Sequence, residues 1–503
     1  MNGKADGKLT RRVVLGGLLA GAGQAALAGA PERSLRPVAR RGAGGGARRS
    51  AASAESIIAA ARLGGKVGYL VADAQTGQVL ERYNPLVALP PASVTKTLTA
   101  QYALESLGGE HRFETRLLAT GPIHGGRLEG DLALVGGGDP SLDTAALAEM
   151  AAALRDAGLR EVAGRFIVSS GRLPTLPRID RDQPPQLSFN PAVSGLNLNY
   201  NRVHFQWRRN GRGWDTVMDA RSREYRPEVS LARVRLVDRR YPVYTFTNGA
   251  RQETWSVART ALRRNGSRWL PVRHPALYAG EVLQIMARGH GIGLPAAQVV
   301  HGVPEGHVLV SHSSAPLGEI LNVMLVNSVN LTAEVTGLGA TLARVGEAHT
   351  LAGSARVMTD WLKHGLGLRQ PHFVDHSGLS DNSHICASDM VHALVHMGPD
   401  STLAGLLKPM KMRDSRGNLA PASPVKLMVK TGTLNFVSAL AGYARVSSDR
   451  TLAFAMFSAD KPRRDAVPVA ERERPPGARA WRNRAHRMQW ALLNRWSALY
   501  ARA

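Results

Sequence analysis

The stretch PASVTKTLT, residues 91–99, decides the fold because it places Ser93 three positions before Lys96. A proline pair, Pro90 and Pro91, stops the preceding strand pattern. A helix can begin directly after the pair, because proline is tolerated in a first helical turn. In such a helix Ser93 and Lys96 lie on one face, one turn apart. Three apolar side chains face another way, into a predicted core: Val94, Leu98 and Tyr102.

This spacing suits a serine nucleophile with a lysine base. A serine hydroxyl is a poor nucleophile until a neighbouring group takes its proton. A lysine one turn away can take it when burial and nearby cations lower the pKa of its amine. Taken alone, however, a serine three positions before a lysine recurs by chance, and an ordinary exposed helical turn explains it equally well.

Two distant segments favour the catalytic interpretation. Ser328-Val329-Asn330 lies in a predicted helical region, and Lys430-Thr431-Gly432 lies on a predicted strand. Together with Ser93-x-x-Lys96 they form, in order, the three motifs of β-lactamases and penicillin-binding proteins, in which the middle motif is usually serine-aspartate-asparagine. Each motif alone is weak evidence for this chemistry. The inference rests on the order of the three motifs and on the predicted helices and strand in which they lie.

The surrounding segments narrow the family. With them the sequence resembles the D-alanyl-D-alanine carboxypeptidases/endopeptidases of the class C, low-molecular-mass penicillin-binding-protein type. The resemblance runs from about Ile57 to the C-terminal helix, and a long insertion between the first two motifs separates it from class A β-lactamases. The segments that carry it are PPASVTKTLTA, GDLALVGGGDPSL, LNLNYNRV, GHGIGLPAA, NSVNLTAE, DHSGLSD and VKTGTLNFVSALAGYA.

The resemblance implies an α/β (α+β) protein with a penicilloyl-serine transpeptidase/β-lactamase-like domain, in which helices flank an antiparallel sheet. We expect the catalytic domain to comprise residues 51–112 and 284–503. Residues 113–283 are expected to form one or two inserted, mostly-β domains. The implied activity is that of a serine-type D-Ala-D-Ala carboxypeptidase that also acts as a DD-endopeptidase on peptidoglycan.

The resemblance also implies roles for the motif residues. Ser93 would attack the carbonyl between two D-alanines and become acylated, with Lys96 as its base. Ser328 would relay a proton towards the leaving amine. Asn330 would hold Lys96 and the substrate amide, while Lys430 would supply positive potential beside Ser328.

The residues after Lys430 are expected to bind the substrate. Thr431 would help bind its terminal carboxylate, and Gly432 would let it pair along the strand edge. The backbone N–H groups of Ser93 and Thr433 would form the oxyanion hole. No metal and no cofactor is expected.

Two positions depart from the family pattern. Val329 replaces the usual aspartate between Ser328 and Asn330, where the side chain takes no direct part in the chemistry. Asp381 stands after the SGLS turn, where the family commonly has a basic residue. Selectivity for the side chain of the stem peptide is therefore expected to differ.

The N-terminus indicates export. Residues 1–30 have a basic start with paired Arg11 and Arg12, then a moderately apolar stretch with an Ala-Leu-Ala exit, as in a signal peptide. The arginine pair resembles a twin-arginine signal, and the alternative is an ordinary secretory signal. Residues 31–50 are predicted to be a basic, Gly-rich linker. We expect a periplasmic protein without a stable membrane span after signal removal.

Both ends of the chain are basic. Residues 1–50 carry ten Lys or Arg and two acidic residues, and residues 461–503 carry eleven and three. Such ends suit anionic surfaces such as membranes, wall polymers or nucleic acid. A solvated arginine-rich surface is the simpler interpretation, and nucleic acid is not an expected partner.

The C-terminal region predicts the sheet and its covering helix. Three segments predict consecutive antiparallel strands: VKLMVKTGTL, FVSALAGYARV and RTLAFAMFSAD. The final helix carries an apolar stripe, expected to pack on that sheet, of Trp481, Ala485, Met488, Leu492, Trp496 and Leu499.

The other chemically reactive side chains are weaker candidates for a catalytic or metal site. Asp375, His376 and Ser377 suggest a second hydrolase triad, but adjacent residues do not easily converge in that geometry. His384 near Cys386 is predicted to be structural. Cys386 is the single cysteine, which excludes an intramolecular disulfide.

Three functions stay open at this point. The preferred one is a DD-peptidase whose partners are peptidoglycan stem peptides ending in D-Ala-D-Ala, with β-lactams as covalent inhibitors. A related serine hydrolase, such as a β-lactamase or esterase of the same fold, is the enzymatic alternative. A non-catalytic, basic peptidoglycan-binding protein with a decayed site is the other, although all motif residues are present.

Overall fold

The computed structural model describes residues 52–501. The predicted signal peptide and linker lie outside the described residues. All elements below belong to the unit Ala51–Ala503.

The α-helices of the described residues are α1 (Ala54–Ala61), α2 (Thr95–Leu107), α3 (Thr144–Asp156), α4 (Pro275–Gly289), α5 (Leu317–Asn327), α6 (Asn330–Val345), α7 (Leu351–Leu366), α8 (Ala387–Met397), α9 (Thr402–Leu406), α10 (Lys461–Asp465) and α11 (Ala478–Tyr500).

The strands are β1 (Lys66–Asp73), β2 (Val79–Tyr83), β3 (Glu114–Ala119), β4 (Ile123–His124), β5 (Arg127–Leu128), β6 (Leu132–Val135), β7 (Glu161–Val162), β8 (Phe166–Ser169), β9 (Arg202–Asn210), β10 (Gly213–Asp219), β11 (Ala232–Val237), β12 (Tyr244–Asn248), β13 (Glu253–Ala258), β14 (Gly266–Pro271), β15 (Ala297–Val300), β16 (His307–Ser313), β17 (Lys408–Met410), β18 (Lys426–Leu434), β19 (Val437–Arg445) and β20 (Thr451–Ala459).

A six-stranded antiparallel sheet joins the two ends of the chain, in the order β17-β18-β19-β20-β1-β2. The three consecutive C-terminal strands predicted from the sequence are confirmed as β18, β19 and β20. The early strand β1 pairs along its whole length with β20, from Lys66 opposite Ala459 to Asp73 opposite Leu452. This pairing places the helix after β2 against strands made more than 300 residues later.

One face of this sheet is covered by α11, and α1 packs on α11. Five members of the predicted stripe on α11 are buried, among them Trp481 and Trp496, both fully enclosed. The sixth, Leu499, is 42% exposed, so the prediction is wrong there. Leu499 lies in the last turn of α11, next to its end at Tyr500.

The other face carries the helices that hold the motifs. α8 packs on β1 and β20, and α2 packs on α5, α6 and α7. Their apolar side chains form one core with the inner face of the sheet, in which Val94, Leu98 and Tyr102 are fully buried as predicted. The remaining, more polar face of α2 is left for Lys96.

The region between the first two motifs forms a second core. Its main sheet has the order β15-β8-β6-β3-β16, and its smaller sheets comprise β10-β9-β14, β11-β13-β12 and β4-β5-β7. Because β15 and β16 pair with β8 and β3, the predicted boundary at residue 283 cuts through this sheet. The sheet also contains parallel pairs, β6 with β8 and β8 with β15, which a hairpin pattern does not predict.

Among the helices of residues 52–501, none is both long and apolar enough to cross a bilayer.

Candidate active site

Ser93 lies in a tight turn that leads into α2. A short 3-10 helix, Ala92–Val94, precedes α2, and Ala92 has a φ of 46°, a conformation that costs free energy in a residue other than glycine. The Ala92 carbonyl accepts hydrogen bonds from the Thr95 N–H and, over 2.9 Å, from the Thr95 hydroxyl. This strained turn leaves Ser93 partly exposed while the residues around it are buried.

Lys96 is fully buried, and its amine contacts three oxygen atoms. Nζ lies 2.9 Å from Ser93 Oγ, 2.7 Å from Asn330 Oδ1 and 2.7 Å from the Ser377 carbonyl oxygen. All three partners are neutral groups, so no carboxylate touches the amine. The predicted Ser93–Lys96 pair therefore exists as a direct contact, with α6 and the segment around Ser377 completing the shell.

The surroundings of Lys96 favour the neutral amine. Burial lowers its pKa well below the usual value, and the charge of Lys430 lowers it further. The carboxyl groups of Glu334 and Asp375 act in the opposite direction. A lysine that gives up its proton in this way can act as a general base near neutral pH.

Ser328 ends α5 in a left-handed conformation, with a φ of 59°. Its hydroxyl oxygen accepts a hydrogen bond from Lys430 Nζ over 2.9 Å, and the same ammonium donates to the Thr431 carbonyl over 2.9 Å. Lys430 is 1% exposed. Burial, together with the charge of Lys408, lowers the pKa of Lys430 to about 7.

Asn330 begins α6 and links the first two motifs. Its amide oxygen accepts from Lys96, and its amide nitrogen donates to the Phe189 carbonyl over 2.8 Å. Phe189 belongs to the inserted region, and its ring is 47% exposed at the edge of the site. The insert therefore contributes directly to the surroundings of the catalytic helices.

Gly432 on β18 packs against the turn that holds Ser93. A Cβ at position 432 would lie 2.5 Å from the Pro91 carbonyl oxygen and 3.0 Å from the Ser93 nitrogen. Only glycine permits this approach. The missing side chain makes room for the nucleophile turn, and this gives Gly432 a structural role beyond the predicted pairing with substrate.

The reactive groups open into a cavity of about 790 Å³. Ser93, Ser328, Asn330 and Thr433 line it, while Lys96 and Lys430 are buried and are not among its lining residues. Thr431 instead lines a neighbouring cavity of about 480 Å³ between β18 and α11. The predicted carboxylate-binding threonine is therefore not among the residues that line the Ser93 cavity, whereas Thr433, two residues further along β18, is.

The mouth of the Ser93 cavity is strongly basic. It is also lined by Glu473, which pairs with Arg268 over 3.0 Å. Part of the basic C-terminal region thus faces the site rather than bulk solvent alone. The arginines that line the cavity are Arg464, Arg472, Arg474, Arg479 and Arg482.

Asp381, the acidic departure from the family pattern, is neutralised by its neighbours. Its carboxylate accepts a hydrogen bond from Arg464, with Nη2 at 3.1 Å from Oδ1, and pairs with Lys461 at 2.8 Å. Burial alone would raise the pKa of Asp381, but the hydrogen bonds and charges of Arg464 and Lys461 outweigh it and lower the pKa to about 2. Asp381 stands where the family commonly has a basic residue, and in this protein the positive charge beside that position comes from Arg464.

The residues Asp375, His376 and Ser377 do not form a second catalytic triad. Asp375 accepts from the backbone N–H groups of Gly378 and Ser380, and the His376 ring contacts the Ser354 hydroxyl at 2.7 Å. Gly378, with a φ of 70°, would bring a Cβ within 1.9 Å of the Ala92 carbonyl oxygen. The segment is therefore a buried turn that packs beneath the Ser93 turn.

Sequence reasoning missed three site residues. Glu334 lies one helical turn after Asn330, and this four-residue spacing inside NSVNLTAE was a usable signal. Phe189 and Arg464 reach the site through long-range packing, for which the local sequence holds no signal. Among residues 52–501, no group of three or more His, Cys, Asp or Glu side chains is arranged to hold a metal ion.

Comparison with known proteins agrees with the family that the three motifs predict. The family model described as the D-Ala-D-Ala carboxypeptidase 3 (S13) family matches residues 50–474. A D-alanyl-D-alanine carboxypeptidase, DacB, of Haemophilus influenzae is 24% identical over 413 residues, covering 78% of this chain and 85% of the relative. A D-alanyl-D-alanine carboxypeptidase of an Actinomadura species is 28% identical over 419 residues, 76% of this chain and 75% of the relative.

The fold is also found among solved structures. The crystal structure of penicillin binding protein 4 (dacB) from Haemophilus influenzae superposes with a TM-score of 0.69 at 20% identity, covering 89% of this chain and 99% of that one. This likeness confirms the predicted fold class. Since the family model spans most of the sequence, the chain belongs to the D-Ala-D-Ala carboxypeptidase 3 (S13) family of serine hydrolases, as its three motifs predicted.

Proposed function

We propose that this protein is an exported serine DD-peptidase that trims and cuts peptidoglycan through an acyl-enzyme on Ser93, and that β-lactams acylate the same serine. The observation that carries the proposal is the contact of the buried Lys96 amine with Ser93 Oγ over 2.9 Å. A nucleophile and a base in direct contact, with the pKa of the base lowered by burial, satisfy the first requirement of acyl transfer.

In the acylation step, Ser93 Oγ attacks the carbonyl carbon between the two D-alanines while Lys96 takes the hydroxyl proton. The carbonyl oxygen becomes an oxyanion, which the N–H groups of Ser93 and Thr433 stabilise. Gly432 brings β18 against the Ser93 turn, so that both N–H groups can face one oxygen.

Collapse of this intermediate breaks the C–N bond. The leaving amine needs a proton, which passes from the Lys96 ammonium through the Ser328 hydroxyl. Lys430 donates to Ser328 and so orients that hydroxyl. A water molecule then attacks the ester, Lys96 takes its proton, and Ser93 Oγ recovers a proton as the peptide acid leaves.

The charge of the site suits an anionic peptide end. Lys430 supplies positive potential next to Ser328, and the arginines at the cavity mouth extend it outwards. Stem peptides ending in D-Ala-D-Ala carry such a terminal carboxylate. A cross-linked stem peptide offers the same carbonyl, which makes endopeptidase action the second expected activity.

Two further parts of the proposal rest on other support. Penicillin binding protein 4 from Haemophilus influenzae, which shares this fold, has been solved in complex with a β-lactam, and this supports the proposed binding of β-lactams by this chain. Export to the periplasm is supported by the sequence of residues 1–30, with Arg11 and Arg12 before an apolar stretch.

The nucleophile is tested by incubation with fluorescent penicillin followed by denaturing electrophoresis. We expect covalent labelling of the wild type and none of Ser93→Ala, while the exposed control Ser415→Ala is labelled like the wild type. Equal labelling of Ser93→Ala would contradict the assignment. Rapid release of hydrolysed penicillin would instead indicate a β-lactamase.

The substrate is tested by mass spectrometry with a pentapeptide and a cross-linked dimer. We expect release of D-alanine from the first and cleavage of the second, both lost in Ser93→Ala. Binding of peptidoglycan without either cleavage would favour the non-catalytic alternative. Export is tested by replacing Arg11 and Arg12 with lysine, which blocks a twin-arginine route and leaves an ordinary secretory route open.

A further inference from the structure

The turn Asp375–Ser380 is held from one side by α2. Lys96 Nζ donates to the Ser377 carbonyl over 2.7 Å, and the Thr99 hydroxyl donates to the His376 carbonyl over 2.7 Å. Two consecutive carbonyl groups of the turn therefore face the helix that carries the catalytic lysine. The position of the turn fixes one of the three partners of the Lys96 amine.

From the other side the turn is held by Glu334 on α6. Its two carboxylate oxygens accept from the backbone N–H groups of Ser377, over 2.9 Å, and His376, over 3.0 Å. Glu334 lies four residues after Asn330, so both side chains project from one face of α6. Helix α6 thus holds Lys96 twice, directly through Asn330 and indirectly through Glu334 and the Ser377 peptide.

Glu334 is fully buried, and a buried carboxylate is costly unless charge and hydrogen bonds compensate it. Two N–H groups satisfy its oxygens, and Lys96 provides the nearby positive charge. Asp375, also buried, accepts from Gly378 and Ser380 and fixes the rest of the turn. The site therefore encloses two carboxyl groups next to a lysine that neither of them touches.

The charged groups around Lys96 come from three elements. The charge of Lys430 on β18 disfavours protonation of Lys96 and lowers its pKa. The charges of Glu334 on α6 and Asp375 in the turn favour protonation. Burial, followed by the charge of Asp375, raises the pKa of Glu334, whereas the hydrogen bonds from Ser377 and His376 and the charge of Lys96 act in the opposite direction and favour the carboxylate. Burial lowers the pKa of His376 to about 3, so that its ring is neutral at physiological pH.

We propose that Glu334 is a positioning residue of the catalytic centre, which holds Lys96 through the Ser377 peptide and supplies the negative charge against which Lys96 takes up the Ser93 proton. This inference rests on the proposed function, in which Lys96 is the base. When Ser93 attacks, the proton moves to Nζ and an ammonium forms in a buried site without a contacting carboxylate. The charge of Glu334 compensates that ammonium at a fixed position.

The test measures the second-order rate of acylation by fluorescent penicillin from about pH 5 to about pH 10 for the wild type and Glu334→Gln. Removing the negative charge weakens Lys96 as a base. We expect the rate at its optimum to fall about tenfold or more. The acid limb of the profile should move to lower pH by roughly one unit, because the Lys96 ammonium loses a stabilising neighbour.

Two variants separate charge from shape. Glu334→Asp keeps the charge but is shorter, so we expect a reduced rate with an unmoved acid limb. The matched control is Glu253→Gln in the insert, since Glu253 is also fully buried and accepts two backbone N–H groups, those of Arg273 and His274. The Glu253→Gln substitution is expected to lower the melting temperature without moving the acid limb of the pH–rate profile.

The outcomes decide the proposal. If the acid limb of the pH–rate profile does not move in Glu334→Gln, or moves equally in Glu253→Gln, the electrostatic role of Glu334 is overturned. A wild-type rate in Glu334→Asp overturns the positioning role, even where Glu334→Gln does not fold. Absence of penicillin labelling in the wild type would instead mark failure of the proposed function itself.

Discussion

Lys430 Nζ donates to Ser328 Oγ over 2.9 Å, although 102 residues separate them in the sequence. This bond ties strand β18 to the junction between α5 and α6. It also fixes where the hydroxyl of Ser328 lies relative to Ser93. The second and third motifs therefore act as one unit. A substitution of Lys430 should affect the rate of acylation in the same way as the loss of Ser328.

The first prediction concerns Lys430→Met. Loss of the donor and its charge should reduce the rate of acylation by penicillin about a hundredfold or more. The matched control is Lys426→Met, an exposed lysine on the same strand, which should acylate like the wild type. A wild-type rate in Lys430→Met would show that Ser328 needs no such partner.

The second prediction concerns pH. Burial lowers the pKa of Lys430 to about 7, so its ammonium is lost as pH rises through that value. The acylation rate should therefore fall on the alkaline side near pH 7, while its acid limb reports Lys96. Lys430→Arg keeps a charge at all these values, and its alkaline limb should lie higher. The same alkaline limb in both proteins would assign it to another group.

The third prediction concerns Gly432→Ala. The new Cβ would lie 2.5 Å from the Pro91 carbonyl oxygen, so the Ser93 turn must move. A misplacement of the nucleophile costs about a hundredfold in acylation rate, and the crowding about 1–3 kcal/mol of stability. Gly405→Ala on α9, where a Cβ meets open space, is the control and should change neither. Wild-type acylation by Gly432→Ala argues against a packing role.

The fourth prediction concerns Asp381→Asn, which leaves the buried Arg464 without its carboxylate. We expect the free energy of unfolding at neutral pH to fall by about 2–3 kcal/mol. Because the pKa of Asp381 is lowered to about 2 from about 3.9 in the unfolded chain, its contribution is full above about pH 5 and is lost as pH falls towards 2. Denaturation with urea across this range measures the difference.

In that experiment the control is Asp465→Asn, which removes only an exposed partner of Lys461. It should change stability by less than about 0.5 kcal/mol. A difference between Asp381→Asn and wild type that stays constant down to about pH 2 would contradict the ionic origin of the effect.

The fifth prediction concerns the stripe on α11. Trp496 is fully buried, and its indole N–H donates to Glu81 over 2.9 Å. Trp496→Ala should therefore cost about 3–5 kcal/mol in thermal or urea unfolding. Leu499→Ala, at an exposed position, should stay within about 0.5 kcal/mol of wild type. Equal costs for both would mean that the whole stripe is packed in solution.

The parts of this protein that could be predicted are those in which local pattern and structure coincide. The strands β18, β19 and β20 follow each other as hairpins, and Ser93 and Lys96 need only one helical turn to meet. The parallel pairs β6–β8 and β8–β15 could not be predicted, because long-range pairing leaves no periodic mark on either strand. For the same reason the predicted boundary at residue 283 separates β15 and β16 from the strands with which they pair.

Within the site, the sequence pointed to the groups that we propose to react but not to those that hold them in place. Thr431 was assigned to the substrate from the motif, yet in the structure it lines the neighbouring cavity, and Thr433 lines the Ser93 cavity. The role of Arg464 depends on Asp381, 83 residues away, and a single sequence does not report that pairing. Contacts between residues so far apart in the sequence follow from the packing of whole helices and strands against one another.

The pairing of β1 with β20 has a consequence for biosynthesis. The ribosome makes Ser93 and Lys96 more than 300 residues before β18, which carries Lys430, and before β20, which closes the sheet. On the proposed mechanism, a chain that ends before β18 has the nucleophile without its electrostatic partner and without the Thr433 oxyanion donor. The order of synthesis therefore delays assembly of the catalytic site until the third motif has been made.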